Sequence, residues 1–354
     1  RDNASNTSSL LSVNSFTIDT TGPVLDNVTN VPTPSSDNRS SYSFNSNEAG
    51  AITYGGSCES TTSAAVAGTN NIIFNALADN TYNNCTITVT DNLSNASSLS
   101  VNTFEIDTID PIVTEVTAVI TPGNDTTPSY TFHSTELGII TYGGSCSSSD
   151  NSSTVGNNDI DFRKPNGAVL DEASYSNCTI RVTDSAGNQS NLLLVSSFII
   201  DTTAPTVSST SPADNESSFS VSENISVTFS ESMDNTSVTA NTSNTSCSGS
   251  FQLSSDNFGS CVEMGSSPTV SNSNKTFTVT PSLTMFYSTN YKIRITTTAA
   301  DSAGNVIASQ YTHTNGFNRD SIPITAGYAH SCFILGNGSV KCWGENSYGQ
   351  LGLG

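Results

Sequence analysis

The feature that most constrains this chain is an apolar run that breaks at Asp-Thr and meets a proline, three times over. The copies are Phe16-Thr17-Ile18-Asp19-Thr20-Thr21-Gly22-Pro23, Phe104-Glu105-Ile106-Asp107-Thr108-Ile109-Asp110-Pro111 and Phe198-Ile199-Ile200-Asp201-Thr202-Thr203-Ala204-Pro205. Pro23, Pro111 and Pro205 stand 88 and 94 residues apart. Alternating apolar residues that stop at Asp-Thr-x-x-Pro read as a last strand meeting a linker. A period of about 90 residues is the length of a small β-sandwich. The chain therefore reads as an all-β string of sandwiches with this stretch as the joint.

The first unit, 19–106, has expected strands at Ser41–Asn45, Ala51–Tyr54, Asn71–Phe74, Cys85–Thr90 and Leu99–Ile106. In Cys85–Thr90 the residues Cys85, Ile87 and Val89 point one way and three threonines point the other. The second unit, 107–200, repeats this plan: Ile140–Cys146 matches Ile52–Cys58 and Cys178–Asp184 matches Cys85–Asp91. An insertion lies between the two matches, around Asn157–Asp171, and is read as a longer loop. Asp2–Leu10 resembles Asp91–Leu99, so residues 1–18 are expected to be the last strand of a truncated preceding unit. The third unit, 201–318, diverges, yet its Asp301-Ser302-Ala303-Gly304-Asn305 repeats Asp184-Ser185-Ala186-Gly187-Asn188 letter for letter.

Acidic residues outnumber basic ones 31 to 10, for a net charge of −21. That balance argues against nucleic-acid partners and against docking on an anionic membrane. No apolar run approaches the roughly 18 residues of a membrane-spanning helix. Nucleophile-elbow, P-loop, dinucleotide and zinc-protease patterns are absent from the sequence, so a non-enzymatic role is expected.

The first two units resemble tandem bacterial Ig-like domains. The third resembles the S-layer-type bacterial Ig-like domain, whose signature includes the segment seen here as Phe229-Ser230-Glu231-Ser232-Met233-Asp234. In residues 319–354, the stretch Ile324–Gly344 with its Cys332, Cys342 and Trp343 resembles one repeat of the regulator of chromosome condensation family, a β-propeller. One repeat cannot close a propeller, because each blade needs neighbours to cover its faces. These resemblances imply an extracellular or cell-surface stalk with further Ig-like and propeller repeats in the full-length chain. Adhesion to a surface glycan or protein ligand is the alternative.

Ig-like topology also organises the cysteines and carboxylates. Strand C ends and strand F begins at one pole, in one sheet. Cys58 should therefore meet Cys85, and Cys146 should meet Cys178; Cys247–Cys261 and Cys332–Cys342 would close shorter loops. Disulfides place the chain in an oxidising compartment. A zinc site is the rival, but no Cys-x-x-Cys occurs. At the other pole the entering linker, the B–C loop and the F–G loop converge. They carry Asp19, Glu48 and Asp91 with Asn95; Asp107 and Asp110, Glu136 and Asp184 with Asn188; and Asp201, Glu231 and Asp301 with Asn305. Glu231 sits two residues nearer the preceding phenylalanine than its counterparts do. Three carboxylates and an amide oxygen would suit calcium, a hard cation that takes 6–8 oxygen ligands. Ordinary turn chemistry for Asp-x-x-x-Asn is the other reading.

Overall fold

The computed structural model describes residues 3–217, 219, 224–286, 289–318, 325, 326, 328–334 and 339–349, and every regular element among them is a β-strand. Three buried hydrophobic clusters form, drawn from residues 31–106, 113–200 and 219–317.

In the first cluster β1 (Leu25–Thr29), β2 (Ser41–Ser46) and β5 (Gly68–Ile73) make one sheet. The other sheet runs β4 (Ala64–Ala65), β3 (Gly50–Gly55), β7 (Thr86–Thr90), β8 (Ala96–Ser100), while β6 (Asn80–Tyr82) pairs with β9 (Phe104–Ile106). Period-2 alternation explains why these segments are strands. Tyr42, Phe44, Ile72, Ile87 and Val89 are buried, and their alternate neighbours Ser43, Thr86 and Thr88 are not. The two inner faces interdigitate as a sandwich core.

The second cluster repeats the topology strand for strand. β10 (Val113–Thr117), β11 (Ser129–Ser134) and β14 (Gly156–Asp161) form one sheet. β13 (Ser152–Ser153), β12 (Gly138–Gly143), β16 (Thr179–Thr183) and β17 (Leu193–Leu194) form the other, and β15 (Ala173–Tyr175) pairs with β18 (Phe198–Ile200). The third has β19 (Val207–Ser211), β20 (Ile225–Phe229), β23 (Thr276–Val279) and β22 (Thr269–Ser271) in one sheet. Its second sheet is β21 (Phe251–Ser254), β24 (Asn290–Ile295) and β25 (Tyr311–Thr312), with β26 (Phe317–Asn318) also paired to β24. The propeller-like segment contributes an antiparallel sheet of β27 (Thr325–Ala326), β28 (His330–Ile334) and β29 (Val340–Gly344). Ile324, Gly327, Gly336-Asn337-Gly338 and the final Gln350–Gly354 of the expected repeat lie outside the described residues.

All eight cysteines are paired: Cys58–Cys85, Cys146–Cys178, Cys247–Cys261 and Cys332–Cys342. The first two are set by a Gly-Gly turn. At Gly56 and Gly144 φ is +77° and +74°, and a Cβ there would run into the carbonyl oxygen of Asn84 or Asn177, just before Cys85 or Cys178. Only glycine fits this close crossing, which carries the chain from the end of β3 or β12 to its disulfide.

Four sequence expectations need adjustment. The closing strand Leu99–Ile106 is two strands in different sheets, β8 on β7 and β9 on β6. The switch occurs at Val101-Asn102, where Val101 is buried and the Asn102 side chain bonds both the N–H and the C=O of Val31. The insertion in the second unit is narrower than 157–171, because Gly156–Asp161 pairs along β11. The extra length is a turn closed by Lys164 N–H to Ala168 O (2.8 Å) and Gly167 N–H to Lys164 O (2.8 Å). Residues 5–18 form no strand, and Leu10, Phe16 and Ile18 are exposed; a lone strand has no ladder partner to hold it. β1 and β10 escaped the sequence reading because most of their side chains are exposed and show no alternation.

Phe104 and Phe198, from the joint motif itself, anchor their sandwiches. Phe104 stacks between Phe74 (6.0 Å) and Tyr82 (5.2 Å), and Phe198 between Phe162 (6.0 Å) and Tyr175 (5.1 Å). Phe198→Ala is expected to destabilise the second sandwich by about 3–5 kcal/mol, read as a lowered urea midpoint. A loss below about 1 kcal/mol would contradict this anchoring role.

Candidate joint sites

Each joint gathers three pieces of backbone: the linker, the loop that follows β2, β11 or β20, and the F–G loop. The residue after the joint proline pairs with the loop that leads out of β2, β11 or β20. Val24 exchanges bonds with Asn47, Ile112 with Thr135, and Thr206 with Ser230. The glutamates Glu48, Glu136 and Glu231 are the next residues in each case. This pairing explains the apparent offset of Glu231. Val207 is registered with Phe229, just as Leu25 is with Ser46 and Val113 with Ser134, so Phe229 occupies the serine's place. Glu231 is the true counterpart of Glu48 and Glu136.

The F–G loops are near-identical. Asp91 N–H donates to Asn95 O (3.0 Å), Asp184 N–H to Asn188 O (3.1 Å) and Asp301 N–H to Asn305 O (2.9 Å). Each aspartate Oδ1 accepts two loop N–H groups: Leu93 and Asn95, Gly187 and Asn188, or Ala303 and Asn305. In the linker, Asp19, Asp107 and Asp201 each accept the N–H two residues on, at 3.0–3.1 Å. These are Asx turns, in which a short carboxylate satisfies its own backbone.

The structure brings Asp19, Glu48 and Asp91 together, and likewise Asp107, Glu136 and Asp184, and Asp201, Glu231 and Asp301. In each trio one carboxylate oxygen per residue lies within 4.8 Å of the others. Asp110 is not part of its trio, although its charge acts on Glu136. The asparagines take a different role from the oxygen donors expected of them. Asn95, Asn188 and Asn305 turn Nδ2 toward the site. It donates to the F–G aspartate Oδ2 (2.8, 2.8 and 2.9 Å) and to the backbone oxygen of Asp19, Asp107 or Asp201 (3.2, 2.9 and 2.8 Å). Each therefore clamps the incoming linker to the following sandwich.

A second clamp, absent from the sequence reading, holds the linker to the preceding sandwich. Thr108 N–H and Oγ1 donate to Asp79 Oδ1 (3.1 and 2.9 Å). Thr202 N–H and Oγ1 donate to Glu172 Oε2 (3.2 and 2.9 Å), and Thr203 Oγ1 adds to the same carboxylate. The available signal was an acid at matching positions, just before Asn80-Thr81-Tyr82 and Ala173-Ser174-Tyr175. The F–G turn also touches the preceding sandwich. Gly187 and Gly304, at φ +97° and +95°, face Ser36 Oγ and Asn124 Nδ2; a Cβ would lie 3.8 and 3.5 Å from those atoms.

Charge in the trios is uneven. Hydrogen bonds from Thr21 hold Asp19 below the usual carboxylate range, and those from Asn95 do the same for Asp91. Burial raises Glu136, helped by the charges of Asp107, Asp184 and Asp110, and raises Glu231, helped by Asp201 and Asp301. A glutamate raised in the folded state costs stability at neutral pH, and the cost is relieved as pH falls through its folded value. Glu136→Gln and Glu231→Gln should therefore raise the melting temperature in chelator at pH 7, with the gain shrinking toward pH 4. Differential scanning calorimetry at both pH values would show this, and an equal gain at both would remove charge repulsion as the cause.

Comparison with known proteins identifies parts of the chain. Residues 201–318 match the family model of the bacterial Ig-like domain, and residues 324–350 match that of the regulator of chromosome condensation repeat. Both agree with the resemblances read from the sequence. No curated protein matches the chain. Solved structures similar to it include the fibronectin(III)-like modules of Clostridium thermocellum CbhA, 9% identical with a TM-score of 0.30, covering 50% of this chain and 94% of that one. Another is the Bacteroides ovatus mixed-linkage glucan utilization locus protein SGBP-B in complex with a mixed-linkage heptasaccharide, 16% identical, TM-score 0.17, covering 91% and 73%. A third is a solved chain from work on the host cell surface retention of a 1.5-MDa bacterial ice-binding adhesin, 13% identical, TM-score 0.29, covering 85% of this chain and 100% of the solved one.

Proposed function

We propose that this chain is a non-enzymatic extracellular stalk of a bacterial surface or secreted protein, with joints stiffened by calcium. The observation that carries the reading is the linker bonded on both sides at two successive joints. Thr108 and Thr202 hold it to the sandwich behind, and Asn188 and Asn305 hold it to the sandwich ahead. A flexible tether would leave its backbone to water. Four disulfides and no free cysteine suit an oxidising exterior. No helix among the described residues is long and apolar enough to cross a membrane. A net charge of −21 gives nucleic acid no electrostatic footing.

The donor set fits a hard cation. Three carboxylates supply oxygen only, and each F–G aspartate Oδ2, which accepts a single asparagine Nδ2–H, keeps a further lone pair. Calcium completes its shell with backbone oxygen and water. Mutual repulsion in an unneutralised trio costs about 1–3 kcal/mol per pair at partly exposed dielectric values, and a bound cation would reverse it. Excess calcium is expected to raise the melting temperature over chelator and to narrow the distribution of small-angle scattering dimensions. Identical curves in the two conditions would leave the hydrogen-bonded clamps as the sole source of stiffness.

Adhesion is the second reading, and one observation favours it. A cleft of about 240 Å³ in the third sandwich, beside Cys261, is lined by Glu263, Ser282 and two exposed apolar residues, Leu283 and Phe286. If the cleft binds a glycan, Phe286→Ser should abolish glycan-array signal and leave the melting temperature unchanged. An array without signal for the parent chain would end this reading.

A further inference from the structure

The third sandwich contains a titratable side chain that the joints do not use. His313 is 1% exposed and leads from β25 toward β26. Its Nε2 lies 2.8 Å from Thr210 Oγ1 of β19. Its Nδ1 has no hydrogen-bond partner and faces Asp214 Oδ1 at 3.9 Å. The ring packs edge-on to Tyr311 (5.9 Å) and Phe317 (6.1 Å).

Asp214 ties two segments together. It accepts the N–H groups of Thr314 (3.1 Å), Asn315 (3.0 Å) and Gly316 (2.7 Å). Asn215 N–H donates to Gly316 O (2.6 Å), and Asn318 N–H to Glu216 O (2.9 Å). The turn after the opening strand β19 is thereby knotted to the closing strand β26, beyond which the chain runs toward the propeller-like segment.

We propose that Thr210, His313 and Asp214 form an acid-opened latch on the closing strand of the third sandwich. With the ring uncharged, Thr210 satisfies Nε2 as donor or acceptor, and Nδ1 sits dry against the packing. A charged ring needs an acceptor at both nitrogens. Asp214 is the only described carboxylate that approaches Nδ1. It stands beyond hydrogen-bond distance, and its Oδ1 already takes two backbone N–H groups. The other charge acting on the ring is Lys292 of β24, whose Nζ donates to Thr314 O (2.8 Å) and which opposes a second cation. Tyr311 meets the ring in a T-shaped arrangement and gives Nδ1 no hydrogen bond. Burial lowers the affinity of His313 for a proton, Lys292 lowers it further, and Asp214 acts the other way without overcoming them. The unfolded chain then binds the proton first. The latch is fully effective above the ordinary histidine value of about 6.5 and weakens as pH falls below it, by at most about tenfold in the folding constant per pH unit.

The test is amide hydrogen exchange of the full chain at pH 7.5 and 5.5, corrected for intrinsic rates. Protection at Asn315, Gly316 and Asn318 should fall up to about tenfold on acidification. In His313→Gln, which keeps a partner for Thr210 and cannot titrate, the fall should disappear. An equal fall in both proteins overturns the proposal. If the variant does not fold, imidazole NMR of the parent chain decides. A His313 midpoint below the ordinary histidine value of about 6.5 supports the latch, and a midpoint at or above 6.5 overturns it.

Discussion

The asparagine that ends each F–G turn uses its two amide protons on two different pieces of chain. One goes to the aspartate that opens the turn, and the other to the backbone oxygen of the linker aspartate, 76, 81 or 104 residues away. This single group converts a local turn into a long-range tie. The trio of carboxylates depends on it, because it fixes both the linker and the F–G loop. The glutamate is brought in separately, by the backbone pairing beside the joint proline. Once these ties are made, the backbone segments that carry the three acids are held side by side.

The two poles of the first two sandwiches have opposite characters. One pole holds the buried disulfide beside the Gly-Gly crossing, whose second glycine is exposed, and is covalently closed. The other gathers negative charge and small polar side chains around a proline. The core between is held by alternating aromatic and β-branched residues, and the stacked Phe104 and Phe198 connect it to the joint. In its second and third copies the joint motif thus does two jobs within eight residues: Phe104 or Phe198 packs one sandwich, and Asp107 or Asp201 begins the next.

Much of this was legible in the sequence because repetition supplies the comparison that a single copy lacks. Cys58 and Cys85 could be paired because sandwich topology puts the ends of two neighbouring strands together, and the same logic assembled Asp107, Glu136 and Asp184. What stayed hidden was of three kinds. The Thr108–Asp79 and Thr202–Glu172 clamps use different acids at equivalent places, so letter matching passes over them. The sheet switch at Val101-Asn102 leaves the apolar alternation unbroken, so it reads as one strand. The orientation of Asn95 is a choice between two nearly isosteric ends of an amide, decided only by which neighbours donate and which accept.

The disulfides also set how far such a chain can be drawn out under tension. A load carried along the string enters each of the first two sandwiches through its linker and leaves through its closing strand. Cys58–Cys85 and Cys146–Cys178 close loops of 27 and 32 residues that tension cannot reach. At roughly 3.4 Å per residue, each bond withholds about 90–110 Å of contour from a sandwich that has otherwise come apart. The extensible length of the string is therefore fixed covalently, and a sandwich pulled open keeps a crosslinked remnant from which its two sheets can re-form.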